Sequence, residues 1–418
     1  MKVAVVGGGS TYTPELVDGI GRLGDGLAVT ELALVDPAAD RVSVVGGLAR
    51  RMLARHGHPA RVSWGDDLEA AVDGAEIVLI QLRVGGQAAR RTDETFPLAE
   101  CCLGQETTGA GGLAKALRTV PVVLDIAERV RRVSPRAWIL DFTNPVGIVT
   151  RALLDAGHRA VGLCNVAITC QRWTAAALDV RPGEVELDHV GLNHLSWVRS
   201  LRVDGADRLP EILANDGLTF GLTGLDARHV RRIGALPSPY LRYYYDHDNV
   251  VAGLKAGSTR ADEVEAIERE LLAQYADPTV DTKPEVLDQR GGAFYSEAAV
   301  ELMSALTGPA GGASRQVLNV RNRGTLPFLA DDTVIEVPCA VDGSGPRPLP
   351  AEPVDPLAAG LIGHVSGYES LAVDAALRGG RDRVIRTLLA HPLIGQAELA
   401  ERLADKLIAL NTRYLPWA

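Results

Sequence analysis

The turn after the first predicted strand constrains this chain more than any other feature of its sequence. An apolar run over residues 3–6 leads directly into Gly7-Gly-Gly-Ser-Thr11. A buried strand that ends in glycines and passes into a helix can hold a pyrophosphate, because backbone N–H groups and the helix N-terminus attract the anion and glycine lets it approach. We therefore expect a dinucleotide site in which Gly7, Gly9, Ser10 and Thr11 contact the cofactor.

The dinucleotide fingerprint is matched only in part. The pattern G-x-G-x-x-G is satisfied at Gly7 and Gly9, but Tyr12 stands at the third glycine position, and a glycine turn can also serve only to reverse the chain. A second predicted strand, 31–35, is followed by Asp36, where a carboxylate can bind a ribose hydroxyl. The alternative for Asp36 is a turn residue before Pro37.

Length, charge and cysteine content restrict the class of protein. A chain of 418 residues exceeds one compact core, so two domains are expected. The net charge of −10 and the lack of a long basic run argue against a nucleic-acid partner. The N-terminal apolar run is too short for a secretory signal, and no segment reaches the roughly 20 apolar residues of a membrane span. Five cysteines without framework spacing indicate reduced thiols, so we expect a cytoplasmic protein with no membrane partner.

The first 165 residues alternate between predicted strands and helices. The strands are predicted at 2–6, 31–35, 75–81, 137–142 and 160–163, and the helices at 14–23, 39–56, 67–72, 113–133 and 146–156. This alternation predicts an α/β fold with a Rossmann-like, doubly wound parallel sheet as a first domain, 1–165. Its ligands are expected at the carboxyl ends of the strands.

The pattern after residue 165 predicts an α+β lobe, 166–418. Strands are predicted at 185–190, 197–203 and 333–337, and helices at 260–275, 294–306 and 366–410, the last with breaks at Gly379-Gly380 and Pro392. Residues 343–356 are rich in Gly and Pro and predict a surface loop.

Several predicted strand ends carry polar residues that should share one crevice. Arg83, Asn144 and the pair Cys164-Asn165 follow strands of the first domain. With His194, which follows Asn193, Cys164 could chelate a divalent ion whose shell is completed by substrate oxygens. The alternatives are that the cysteine fills apolar space and that the histidine is structural.

Arginines and a second glycine-rich loop add candidate anion and cofactor contacts. Arg83 and Arg260 are candidates for binding an anion, whereas Arg90 and Arg91 could equally form surface salt bridges. The loop 105–112, which contains Glu106, could border the cofactor or only begin a helix.

Four tyrosines stand close together between residues 240 and 245, in a chain that has only nine. Aromatic residues at helical spacing usually pack against other elements. A phenol becomes a useful base only where a cation lowers its pKa from about 10.

An ordered set of motifs resembles the NAD- and metal-dependent glycoside hydrolases of family 4. The resemblance runs from the N-terminus to at least Glu336-Val-Pro338, and its motifs are GGGSTYTPEL at 7–16, RVGG at 83–86, GQETTG at 104–109, TNP at 143–145, CNV at 164–166, GLNH at 191–194 and YLRYY at 240–244. The tetrad that begins at Cys164 resembles that of the 6-phospho-β-glucosidase branch, in which proline usually stands where this chain has Ala167.

The resemblance implies a Rossmann-like fold similar to lactate and malate dehydrogenases, and a redox-assisted elimination. NAD⁺ takes a hydride from C3 of the sugar, a metal polarises the resulting ketone, a tyrosine removes the C2 proton, the C1–O bond breaks, water adds and the hydride returns. The same resemblance implies Mn²⁺ held by Cys164 and His194, and Tyr240 as the base with Tyr243 and Tyr244 as alternatives.

The resemblance also implies substrate contacts from Arg83, Asn144, Asn165 and Arg260, and a homodimer or homotetramer that acts on a small phosphorylated glycoside. An exposed cysteine of low pKa further predicts oxidative inactivation. Two other functions remain open from the residues: an NAD-dependent dehydrogenase of 2-hydroxy acids, and a sensor that binds NAD or sugar without catalysis.

Overall fold

The computed structural model describes residues 1–23, 27–292, 294–308 and 314–418. Its strands are β1 Lys2–Val6, β2 Glu31–Val35, β3 Arg61–Gly65, β4 Ile77–Ile80, β5 Trp138–Asp141, β6 Ala160–Gly162, β7 Val185–Leu192, β8 Leu195–Val203, β9 Ala206–Asp207, β10 Leu236–Pro237, β11 Ser314–Arg321, β12 Val334–Asp342 and β13 Gly345–Pro348. Its helices are α1 Thr13–Leu23, α2 Ala39–Arg55, α3 Leu68–Val72, α4 Gly86–Thr95, α5 Gly109–Val133, α6 Val146–Asp155, α7 Asn165–Leu178, α8 Leu209–Ala214, α9 Asp216–Thr223, α10 Ala227–Ile233, α11 Arg242–Tyr245, α12 His247–Ala256, α13 Arg260–Ala276, α14 Tyr295–Thr307, α15 Pro356–Arg378, α16 Arg381–Leu389 and α17 Ala397–Asn411.

Six parallel strands form the expected doubly wound sheet, in the order β3-β2-β1-β4-β5-β6. The chain runs outward from β1 to β3 and then returns to β4 on the other side of β1. Such a reversal of strand order opens a crevice at the carboxyl ends of the two central strands. The parallel α/β fold is therefore confirmed, and its ligand crevice lies between β1 and β4.

Strands from the second half of the chain extend this sheet. β11 pairs antiparallel with β6, followed by β12 and β13. Sequence patterns missed β3 and β11, and β13 lies inside the segment predicted as a loop at 343–356. Because the sheet continues past residue 165, the domain boundary at that residue stays a prediction.

A hairpin of β7 and β8 forms a second, smaller sheet with β9 and β10. Leu192 faces Leu195 across the hairpin, which leaves Asn193 and His194 as its two-residue turn. His194 has φ +64°, a left-handed conformation typical of such turns. The turn projects His194 away from both strands.

Helix predictions succeeded where the amphipathic pattern was long. α2, α6 and α13 lie within one residue of their predicted bounds, and the helical break at Gly379-Gly380 is present. The segment predicted to begin at residue 366 begins at Pro356, where the Asp355 carboxylate accepts from the Leu357 N–H. Helices missed altogether are mostly short, with α7 as the longest of them.

Buried apolar side chains from both halves of the chain form one main core around the large sheet. A smaller core lies between α7, the hairpin and α8–α10. Among the described residues no helix is long and apolar enough to cross a membrane.

Gly8 provides a test of how tightly the first turn is packed. A Cβ added there would lie 2.7 Å from Leu34 Cβ and 2.9 Å from its Cα. We expect Gly8→Ala to lower the free energy of unfolding by roughly 1–3 kcal/mol, because the strand cannot move away without breaking its pairing with β1. Denaturant unfolding would measure this. Gly47→Ala, where an added Cβ meets only the Arg51 guanidinium at 3.6 Å, is the control, and equal stability of the two variants would contradict the packing argument.

Candidate active site

Two adjoining cavities open at the carboxyl ends of the parallel strands. The glycine-loop cavity, about 820 Å³, is lined by residues that include Gly7 and Asp36. The tyrosine cavity, about 310 Å³, is lined by residues that include Asn144 and Tyr240. Five residues line both cavities: Ser10, Gln81, Leu82, Arg83 and Arg290. Ligands held in the two cavities would therefore meet at the ends of β1 and β4.

The glycine-loop cavity fits a dinucleotide. Gly7 has φ +83°, and a Cβ added there would lie 2.5 Å from the Gln81 carbonyl oxygen. A Cβ at Gly9 would lie 3.0 Å from the Asp36 carboxylate. Glycine therefore lets the loop pack closely against the end of β4 and against Asp36. α1 begins at Thr13 just beyond the loop, so its N-terminus adds positive potential there.

Asp36 has the turn role considered for it, and its position is compatible with the ribose role. Its Oδ1 accepts from Ala38 N at 2.9 Å, as expected of a turn residue, and its Oδ2 accepts from Gly9 N at 3.2 Å. The residue also lines the glycine-loop cavity. A carboxylate can accept about four hydrogen bonds, so Asp36 can fix the loop and still bind a ribose hydroxyl.

Two residues expected at the cofactor do not line the glycine-loop cavity. Thr11 is fully buried, and its hydroxyl donates at 3.4 Å to Glu268, which does line that cavity. Glu106 lines the tyrosine cavity instead. The loop that carries Glu106 precedes α5, and the carboxylate pairs with cations there.

Three cations surround the Glu106 carboxylate. It accepts a hydrogen bond from Arg83, lies 2.6 Å from Lys115 Nζ and lies 3.2 Å from Arg90 Nη2. Burial raises the pKa of Glu106, but the charges of Arg83 and Lys115 outweigh it and hold the pKa well below its usual value. Burial and the Arg83 charge lower the pKa of Lys115 to about 7. The cluster therefore carries excess positive charge that an incoming anion would neutralise.

The tyrosine cavity as a whole is cationic. Its described lining contains one carboxylate, that of Glu106, and five basic side chains: Arg83, Arg90, Lys115, Arg260 and Arg290. Buried cations facing a cavity of this size are suited to an anionic group such as a phosphate.

The outer arginines of the tyrosine cavity are held by acidic partners. Arg260 pairs with Glu263 at 2.8 Å, and Arg290 pairs with Glu268 at 3.0 Å. Arg290 was not predicted, although Gly291-Gly292 directly after it marks a turn that could have drawn attention. Lys115 was also missed, because it lies within α5 rather than in the loop before it.

Arg90 and Arg91 have different environments in the structure. Arg91 lies at the surface and pairs with Asp262 and Glu265 at 2.6 Å each, as expected of a surface salt bridge. Arg90 also pairs with Glu94 at 2.6 Å, but it lines the tyrosine cavity through its contact with Glu106.

Two asparagines line the tyrosine cavity at strand ends. Asn144 follows β5, and its Oδ1 is buried with no hydrogen-bond partner among the described residues. Asn165 begins α7 directly after β6. A buried amide oxygen that lacks a donor can accept from a ligand hydroxyl, which fits the substrate contact expected of Asn144.

Cys164 and His194 approach the Glu336 carboxylate from different sheets. His194 lines the tyrosine cavity, whereas Cys164 lines a neighbouring cavity of about 330 Å³ beside α7. Cys164 is the N-cap of α7, and its side chain makes no capping hydrogen bond. His194 Nδ1 lies 3.2 Å from the Thr107 hydroxyl, which leaves Nε2 to bind an ion. No group of three or more His, Cys, Asp or Glu residues that could hold a metal occurs among the described residues. One thiol and one imidazole fit a divalent ion whose remaining ligands come from the substrate.

Burial determines the protonation of both candidate ligands. Cys164 is 5% exposed, and burial together with the Glu336 charge raises the pKa of its thiol. The expectation of an exposed cysteine of low pKa was wrong, because α7 and the hairpin cover the sulfur. Burial lowers the pKa of His194 to about 4, so its imidazole is neutral, as a metal ligand must be.

The Glu336 carboxylate hydrogen-bonds to residues around Cys164 and His194, and this role was not predicted from the sequence. Its Oε1 accepts from the side chains of Asn193 and Asn319 at 3.1 Å each, and its Oε2 lies 3.0 Å from His189 Nε2. Burial raises the pKa of Glu336, but the hydrogen bond from His189 and the charge of His189 outweigh the effect of burial, so the pKa of Glu336 is lowered. An acidic residue in the middle of the otherwise apolar run of β12 was the sequence signal that could have identified Glu336.

Tyr240 is set apart from the other tyrosines by its position. It lies in a 3₁₀ turn, Pro239–Leu241, and its ring stacks on the His194 ring with centroids 3.5 Å apart and planes 6° from parallel. Tyr243 packs edge-on against it, and Tyr244 packs against His391 instead. Of the four clustered tyrosines, Tyr240 alone lines the tyrosine cavity. Burial and the neighbouring Tyr243 raise the pKa of Tyr240 well above 10, so the phenol needs a nearby cation in order to act as a base.

Comparison with known families and sequences gives matches over the whole chain. Residues 2–180 match the family described as "Family 4 glycosyl hydrolase", and residues 189–394 match its C-terminal domain. A protein of Bacillus subtilis (strain 168), described as a probable 6-phospho-beta-glucosidase, is 34% identical and is covered over 97% of its length by 100% of this chain.

Solved structures show the same architecture. The 6-phospho-beta glucosidase from Thermotoga maritima, in a form with manganese, NAD⁺ and glucose-6-phosphate, superposes with a TM-score of 0.91 at 33% identity, covering 99% of both chains. A malate dehydrogenase from Salinibacter ruber has a TM-score of 0.56 at 16% identity over 91% of this chain and 99% of its own. The second likeness concerns the fold alone.

Proposed function

This chain belongs to glycoside hydrolase family 4, and on that premise we propose that it hydrolyses the glycosidic bond of 6-phospho-β-glucosides. The observation that carries the proposal is the cationic tyrosine cavity, which contains Tyr240 and adjoins the glycine-loop cavity. Relatives described as 6-phospho-beta-glucosidases, and the bound glucose-6-phosphate of the Thermotoga maritima enzyme, support this choice of substrate.

NAD fits the glycine-loop cavity, and a divalent metal such as Mn²⁺ fits between Cys164 and His194. When bound, NAD supplies a reversible hydride acceptor for the sugar C3, and the metal supplies a Lewis acid that polarises the oxygen there. Gly7 and Asp36 would hold the cofactor at the pyrophosphate and the ribose. Ser10, which lines both cavities, marks where cofactor and sugar meet.

The basic side chains around Glu106 would bind the 6-phosphate. Arg83, Arg90 and Lys115 already surround one carboxylate, and their excess charge would be neutralised by the phosphate dianion. Because the phosphate favours the charged form of Lys115, its binding would raise the lowered pKa of that side chain. Arg260 and Arg290 add two further basic side chains to the lining of the tyrosine cavity.

Tyr240 would then remove the C2 proton of the sugar while Asn144 and Asn165 hold its hydroxyls. A direct displacement needs two carboxylates that flank the glycosidic bond. The described lining of the tyrosine cavity contains only Glu106, and three cations engage that carboxylate. The residues present therefore support elimination through C2 rather than displacement at C1.

Two further properties are inferred from the same premises. The five cysteines are all free thiols, which agrees with a reducing cytoplasm as the proposed location. Assembly as a homodimer or homotetramer stays a prediction.

Incubation in D₂O tests the proposal directly. The protein, with NAD⁺, Mn²⁺ and a reductant, is mixed with 4-nitrophenyl 6-phospho-β-glucoside. We expect release of nitrophenol, no net NADH, and deuterium at C2 of the glucose 6-phosphate formed. Release without deuterium would contradict elimination, and net NADH formed from 2-hydroxy acids, without release, would favour a dehydrogenase. Parallel assays of the α-anomer and of the unphosphorylated glucoside test the substrate class, since both are expected to react poorly.

A further inference from the structure

A third cavity adjoins the tyrosine cavity on the side away from the glycine loop. This tryptophan cavity, about 290 Å³, lies between α7, the β7–β8 hairpin and α9, and Trp173 lines it. Asn165 and Tyr240 line both the tryptophan and the tyrosine cavities. The two cavities are therefore neighbours that meet at these side chains.

The tryptophan cavity is uncharged and largely apolar. No Asp, Glu, Lys or Arg occurs among the described residues that line it, in contrast to the five basic residues of the tyrosine cavity. Ala167, Val198 and Leu222 form much of its floor and are at least nine-tenths buried. Trp173 is 44% exposed, and its ring lies within van der Waals reach of Gly221, where an added Cβ would be 3.5 Å from it. The indole thus presents open aromatic surface beside an apolar floor.

Three buried polar groups at this cavity have no partner among the described residues, and one of them is the Thr169 hydroxyl. Ser196 is 1% exposed, and its hydroxyl makes no hydrogen bond. His189, 2% exposed, uses Nε2 for Glu336 and leaves Nδ1 without a partner. Buried polar atoms of this kind are normally satisfied, so a ligand or a water that completes them is favoured.

We propose that the tryptophan cavity is the aglycone site and that it selects an uncharged aromatic aglycone. This inference depends on the proposed function. A sugar whose C2 faces Tyr240 has its C1, and therefore its leaving group, one bond further on. The glycine-loop cavity is assigned to the cofactor, and the basic side chains of Arg83, Arg90 and Lys115 are assigned to the phosphate. Tyr240 lines the tryptophan cavity as well as the tyrosine cavity, so the former is the space proposed for the leaving group.

The chemistry of the lining determines which aglycone fits. A charged aglycone would lose its hydration there without meeting an opposite charge. An aromatic ring gains contact with the Trp173 indole and with the apolar floor. A second sugar could also stack on tryptophan, but it would bring several hydroxyls to a lining that leaves only a few polar atoms unpaired.

Three substrates and three variants test the assignment. The substrates are phenyl 6-phospho-β-glucoside, methyl 6-phospho-β-glucoside and cellobiose 6′-phosphate, whose phosphate is on the non-reducing glucose. The variants are Trp173→Ala, Trp173→Phe and, as a matched control, Phe220→Ala, since Phe220 is 60% exposed on α9 and does not line the cavity. We expect Trp173→Ala to lower kcat/KM for the phenyl substrate about tenfold and for the methyl substrate less than about twofold. Trp173→Phe should restore most of the loss, and Phe220→Ala should leave both values unchanged.

The possible outcomes separate the aglycone site from the proposed function. Equal losses on the phenyl and methyl substrates would overturn the assignment, as would a loss confined to cellobiose 6′-phosphate, which would indicate a second-sugar site. Absence of hydrolysis of all three substrates by the unaltered protein would overturn the proposed function itself.

Discussion

Replacement of Tyr240 by phenylalanine is expected to lower kcat by about 10²–10⁴-fold, the usual contribution of a positioned general base. The substitution removes one oxygen and keeps the ring, so the stacking on His194 at 3.5 Å should persist. Without the phenolate oxygen, the other possible acceptors for the C2 proton in the described lining are already engaged or neutral. The Tyr12 and Tyr295 hydroxyls donate to backbone carbonyls, Lys115 and the Glu106 carboxylate pair with each other, and the His194 imidazole has its pKa lowered to about 4.

The measurement should separate proton transfer from binding. Deuterium exchange into C2 of the sugar phosphate in D₂O should be lost with kcat, while NAD binding, followed by titration, should stay within about twofold of the unaltered protein. Tyr243→Phe is the matched control, because Tyr243 packs edge-on against Tyr240 but does not line the tyrosine cavity. If Tyr243→Phe or Tyr244→Phe abolished exchange while Tyr240→Phe retained it, the base would have been assigned to the wrong residue.

The parallel sheet could be predicted because its strands are short apolar runs separated by long helices. β1, β2 and β4 are buried on both faces, which leaves a continuous apolar signal in the sequence. β3 and β13 were missed because they are edge strands with mixed composition. Their pairing is decided by neighbours that are distant in sequence, which local patterns do not report.

The site residues show a similar division. Residues at strand ends, such as Arg83 and Asn144, could be placed because all parallel strands end at one edge of the sheet. Thr11 and Glu106 were given to the cofactor because they lie in glycine-rich loops, but the direction of each side chain depends on the element packed beneath its loop. Lys115 and Glu336 carry no local signal of this kind, since one lies inside a helix and the other inside a strand.

Replacement of Cys164 by serine is expected to weaken Mn²⁺ binding at least about 100-fold, and to lower activity at limiting metal by a similar factor. Loss of a residue that only orients a ligand typically costs 10–100-fold in metal affinity, so loss of a ligand should cost more. Serine is similar in size, but its hydroxyl does not ionise near neutral pH and is a poorer ligand than a thiolate for such an ion. Mn²⁺ titration, followed by calorimetry or by the electron paramagnetic resonance of free Mn²⁺, would measure the change without relying on turnover.

The cysteine beside the second glycine-rich loop supplies the control for this experiment. Cys102 is also 5% exposed, but its sulfur contacts only a backbone carbonyl, that of Glu100 at 3.5 Å. Cys102→Ser should therefore destabilise the fold slightly and leave Mn²⁺ affinity unchanged. If both variants bound Mn²⁺ as tightly as the unaltered protein, His194 and the asparagines around it would have to hold the ion alone. Because the charge of Glu336 acts on the Cys164 thiol and its carboxylate accepts from Asn193, loss of affinity in Cys164→Ser alone would connect the metal to the Glu336 network.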